Sequence, residues 1–106
     1  MFDIEGTDIK ITRGDTGTFH IEILQDDIPY ILKSSDILFL RVKKHAIDEK
    51  IYLEVFANRA GDFTILPEQT KDMFFGEYEY YIRLIINKNE VYSLIPVSKF
   101  TVLEEL

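Results

Sequence analysis

An all-β fold, specifically an immunoglobulin-like antiparallel β-sandwich of about seven to nine short strands, is predicted by three features of this sequence. Apolar residues recur with period two along most of the chain, as in residues 16–24, where Phe19, Ile21 and Ile23 alternate with Thr18, His20 and Glu22. Clusters of Gly, Asp, Asn and Pro punctuate these runs at hairpin spacing. Only residues 67–73 read as helix, and then only as a single turn.

The first strand is placed at residues 8–12, ended by Arg13-Gly14-Asp15, and a second follows over 16–24 until the polar turn Gln25-Asp26-Asp27. Residues 28–32 are apolar but contain Pro29, which cannot donate to a ladder, so this segment is expected on an edge or as a connection covering the core. Residues 37–44 are β-branched, aromatic and nearly continuous, the composition of a central strand. A polar connection at 45–49 leads to a strand at 51–56, and residues 57–61 turn the chain.

Residues 61–84 carry the strongest architectural signal. A short strand at 62–66 leads into Pro67-Glu68-Gln69-Thr70-Lys71-Asp72 and then into Gly76-Glu77-Tyr78-Glu79-Tyr80-Tyr81-Ile82-Arg83-Leu84. Gly76 permits a sharp corner, and Tyr78, Tyr80, Ile82 and Leu84 fall on one face of the strand that follows. Such a corner passes the chain from one sheet to the other. Asn87-Lys88-Asn89-Glu90 is a hairpin loop, residues 91–95 return antiparallel, and Pro96 bulges or breaks the way into a last strand at 98–103.

Composition narrows the functional classes. The chain has 106 residues, 46% hydrophobic and 13% aromatic, which fits one domain over 1–106 with a core of its own. A net charge of −7 opposes binding to nucleic acid or to anionic membrane surfaces. With no cysteine, neither a disulfide framework nor a thiolate metal site nor a cysteine nucleophile is available. The acidic start, Met1-Phe2-Asp3-Ile4-Glu5, does not read as a signal peptide and no apolar run reaches bilayer length, so folding in a cytoplasm is expected.

No constellation announces catalysis, and none is expected to hold a cofactor or metal. Arg13-Gly14-Asp15 sits between two closely spaced strands and reads as a turn rather than an adhesion signal. His20 and His45 have no partner at metal-ligand spacing, and Ser34-Ser35-Asp36 lacks a nucleophile elbow. Asp26-Asp27, Asp48-Glu49 and Glu104-Glu105 are adjacent pairs without a calcium-loop glycine, which fits solvated turn charge. Tyr78 and Tyr80 belong to the core with Ile82 and Leu84. Tyr81 and Tyr92 are left as surface contacts, either for a protein or, in a carbohydrate-binding sandwich, for sugar rings.

One resemblance spans nearly the whole chain. The succession Ile11-Thr12-Arg13-Gly14-Asp15-Thr16, Phe39 to Lys43, Gly61-Asp62-Phe63-Thr64-Ile65, Pro67 to Asp72, Gly76 to Leu84 and Lys99-Phe100-Thr101-Val102 resembles small phage and prophage structural domains. Among these it resembles the N-terminal domains of baseplate upper proteins in phages of low-GC Gram-positive bacteria. The resemblance implies a non-enzymatic module of a tail or baseplate, located in the virion after assembly in the host cytoplasm. It implies other tail proteins as partners and homo-oligomers. The chain departs from the pattern where Met73 stands in place of leucine and Phe74-Phe75 precede Gly76. Phe74 and Phe75, with Tyr81 and Tyr92, are therefore the expected interaction residues.

Overall fold

The computed structural model describes residues 1–105 and contains ten strands and one helical turn. The strands are β1 (Phe2–Glu5), β2 (Asp8–Thr12), β3 (Gly17–His20), β4 (Leu24–Gln25), β5 (Ile28–Pro29), β6 (Ile37–Lys43), β7 (Leu53–Phe56), β8 (Asp62–Ile65), β9 (Gly76–Ile86) and β10 (Glu90–Leu103), with α1 at Pro67–Thr70 between β8 and β9. Six of them form one sheet in the order β1-β2-β10-β9-β6-β7. The pairs are antiparallel except β2 with β10, which run parallel with Ile9 beside Phe100 and Ile11 beside Val102. β3 and β8 form a separate two-stranded ribbon, and β4 and β5 a short hairpin.

The fold is all-β, with two layers around one core. Inward residues of the large sheet (Ile9, Ile11, Leu38, Leu40, Val42, Tyr80, Ile82, Phe100, Val102) share a single buried cluster with Phe63 and Ile65 of the ribbon. Phe19 stacks on Phe63 with ring centroids 4.9 Å apart, and Phe2 stacks on Phe19, which closes the ribbon against the β1 margin. Burying these side chains contributes about 1.5–3 kcal/mol each toward folding, before the entropy of ordering them is subtracted.

The corner expected at residues 61–84 is present. β8 belongs to the ribbon, α1 makes one turn, and β9 enters the middle of the large sheet. Pro67 opens the turn, where a missing N–H costs nothing. The Gln69 side-chain oxygen accepts the Leu66 amide at 2.8 Å and so covers one of the free donors at the helix start. Gly61, at φ +88°, is needed because a Cβ there would collide with the Ile21 carbonyl; its own carbonyl accepts the Ile21 amide at 2.9 Å.

Several elements differ from the sequence expectation. The acidic start is itself a strand, β1, because Phe2 and Ile4 stand opposite Ile11 and Ile9. The second strand stops at His20, where the chain leaves the ribbon to reach the β4–β5 hairpin. Residues 91–103 are one strand rather than two: β10 absorbs Pro96 through register shifts between Ser93 and Ser98. The hairpin turns occur as expected, with Asp26 and Asp27, and Asn87 and Lys88, all at positive φ.

Candidate interaction surface

Phe74 and Phe75 lie on the short loop between α1 and β9. The backbone is held at Met73, just before them, and at the Phe74 carbonyl. The buried Thr70 carbonyl accepts the Met73 amide at 2.9 Å, the Tyr78 hydroxyl donates to the Phe74 carbonyl at 2.9 Å, and Arg13 donates to the Met73 carbonyl at 3.4 Å. Met73 is buried in the core and anchors the loop from below. The two rings face outward nonetheless, Phe74 at 84% exposure and Phe75 at 44%.

The Arg13-Gly14-Asp15 turn supports this loop. Arg13 lays its guanidinium over the Phe75 ring at 4.3 Å and pairs with Glu105 at 3.0 Å. Gly14 donates its amide to the Thr70 hydroxyl at 2.9 Å, and Asp15 pairs with the N-terminal ammonium. The two rings thus offer exposed apolar area on a loop braced at Met73 and at the Phe74 carbonyl.

Tyr92 lies at the other end of the sheet. It stands opposite Leu84, about 27 Å along β9 from Gly76 at strand rise, so it shares no site with Phe74 and Phe75. Its ring, 47% exposed, borders a groove of about 370 Å³ between the β4–β5 hairpin and the β9–β10 hairpin, lined also by Ile23, Tyr30, Leu84, Ile86 and Leu94. The hydroxyl donates to Glu90 at 2.8 Å, and that carboxylate raises the phenol pKa.

Tyr81 is not a surface side chain. It points to the face of the sheet away from the ribbon, as alternation requires, but is only 6% exposed. Arg83 covers its ring at 4.3 Å and Lys43 approaches from 5.6 Å. Burial pushes the phenol pKa up, but the nearby Arg41, Lys43 and Arg83 cations outweigh it, and the net shift is downward. Phe39 is covered in the same way by Arg41 at 4.4 Å. Tyr81 and Tyr92 therefore lie on opposite faces and form no joint platform for a sugar.

One pairing was not legible in the sequence. His20 Nδ1 lies 2.8 Å from Asp62 Oδ1 across the β3–β8 ladder, and Asn58 donates to the other Asp62 oxygen at 3.2 Å. The His20 bond and then the Asn58 bond hold the Asp62 carboxyl below its usual pKa. Both side chains are half exposed and no nucleophile is bonded to either, so the pair ties two strands together. Among the described residues, no three His, Asp or Glu side chains gather closely enough to hold a metal ion.

The free edges of the large sheet are β1 and β7, each four residues long. Asp3 and Glu5 charge the first, and Gln69 donates to the Glu54 carbonyl on the second at 3.4 Å. Short, charged and covered edges resist strand addition. Compared with known proteins, the chain matches no family model and no curated protein.

Proposed function

We propose that this chain is a non-enzymatic assembly module that docks Phe74 and Phe75 onto a neighbouring subunit, and that its setting is a phage or prophage tail or baseplate. The observation that carries the docking mode is the pinned, outward-facing aromatic pair. Phe74 at 84% exposure and Phe75 at 44% set two aromatic rings side by side on one loop, a local apolar patch rather than a single scattered side chain. The sequence likeness to baseplate domains supports the setting, and the guarded sheet edges favour an apolar knob over strand addition.

The test is capture of purified tail and baseplate proteins encoded beside this chain. The wild type should retain at least one of them, and Phe74→Ala with Phe75→Ala should release it while the fold stays intact. Failure to retain any of them contradicts the tail setting; retention that ignores both substitutions contradicts the docking mode.

A further inference from the structure

The two layers are unequal in length. β9 and β10 run for 11 and 14 residues, whereas the ribbon strands β3 and β8 run for four each. Past the ribbon, the inner face of the β9–β10 hairpin looks onto the β4–β5 hairpin, which has two residues per strand. That short cover leaves the groove of about 370 Å³ open at one end of the sandwich. Leu84, which is buried, and Ile23, Ile86 and Leu94, which are partly buried against the core, give it apolar walls. Its size falls toward the lower end of small-molecule pockets, and a ligand gains by displacing water from such walls.

Hydrogen bonding decides what such a ligand must carry. Tyr30 donates its phenol proton to Asp36 at 2.6 Å and Tyr92 donates to Glu90 at 2.8 Å, so both phenol oxygens remain as acceptors. Glu90 adds a carboxylate, and Gln25 can serve either way. Lys33 is the one cation among the lining residues. After the bonds from Tyr30 and from its own backbone amide, its charge helps hold the Asp36 carboxyl below the usual range. The Asp36 bond, then burial, then the Asp36 and Glu90 charges raise the Tyr30 phenol pKa, and Glu90 raises that of Tyr92. Two phenols kept protonated by carboxylates mark a negative field, in line with the net charge of −7.

We infer that the groove binds a small apolar primary amine in its ammonium form. A ring or short chain lies against Leu84, Ile86 and Leu94, and the ammonium donates to Glu90 and to the phenol oxygens of Tyr30 and Tyr92. A primary ammonium has three donors and no acceptor, the complement of this set. An acid of the same shape meets Glu90 and a negative field, and a neutral alcohol forgoes the charge. The groove lies at the opposite end of β9 from Phe74 and Phe75, so it is a second site and does not rest on the docking role.

Titration of the full chain with phenethylammonium, followed by backbone amide NMR shifts, tests it. Shifts should saturate at Leu24, Gln25, Tyr30, Tyr92 and Leu94 with a Kd on the order of 1 mM, as suits so small a probe. Phenethyl alcohol and hydrocinnamate, matched to it in shape, should bind at least about tenfold more weakly. Glu90→Gln keeps an acceptor for Tyr92 but loses the charge, and should weaken the amine about tenfold. Lys33→Met removes the competing cation and should tighten it about threefold. Glu90 and Lys33 are both exposed, so both variants fold, and unchanged shifts outside the groove verify it. Absence of saturable shifts in the groove overturns the inference. An alcohol or acid that binds as tightly as the amine, or a Glu90→Gln variant of unchanged affinity, overturns it as well.

Discussion

The hydroxyl of Thr70, fully buried, accepts the Gly14 amide at 2.9 Å and so joins the Arg13-Gly14-Asp15 turn to the helical turn beneath the Phe74-Phe75 loop. Two segments 56 residues apart thereby become one platform. The tripeptide acts as a brace, with its arginine stacked on Phe75 and its glycine amide spent on Thr70.

Thr70→Val keeps the shape and removes the acceptor. The partly buried Gly14 amide then loses its acceptor, and stability should fall by about 1 kcal/mol in urea unfolding. Thr70→Ser should recover most of it.

Gly61→Ala should cost more. An alanine at φ +88° is strained by about 1–2 kcal/mol, and its Cβ meets the Ile21 carbonyl, adding about 1–3 kcal/mol. A lowered thermal midpoint with an unchanged circular dichroism spectrum is the expected result.

The Gly61 turn also marks what local sequence can encode. Gly61, Pro67 and Gly76 each impose a backbone constraint by their own chemistry, and the sheet-to-sheet corner follows from them. The β2–β10 parallel pair joins Ile9 to Phe100, and no local period specifies a partner so far away in sequence. The burial of Tyr81 escaped for a related reason. Alternation places it on the outer face correctly, but whether Arg83 and Lys43 fold over it depends on neighbouring strands and on long side chains snorkelling across a ring. The His20–Asp62 bond likewise exists only once β3 and β8 are in register.

Alkaline titration should unfold the protein partly through Tyr80. Burial, aided by the Asp8 charge, raises its pKa from 10.0 to about 12, and its hydroxyl donates to the Thr7 carbonyl. A raised folded pKa means the stabilisation is complete below the unfolded value of 10.0 and is lost as pH climbs through about 12. Tyr80→Phe removes this ionisation, so its unfolding free energy should fall less over that interval than the wild type's.

Acid should act through Asp62 in the opposite sense. Its folded pKa is depressed by His20 and Asn58, so the stabilisation is present above the unfolded carboxylate pKa and disappears as pH falls through the folded one. Asp62→Asn should flatten the acid limb of the stability profile, as followed by denaturant midpoints.

Phe74→Ala gives the most direct measurement of the docking mode, read as affinity for a retained tail protein by titration calorimetry alongside thermal unfolding of the free chain. A side chain this exposed should change stability by less than about 0.5 kcal/mol, yet as a central aromatic anchor its loss should weaken binding by about 2 kcal/mol, roughly 30-fold. Unchanged affinity in a fully folded Phe74→Ala variant would contradict the account.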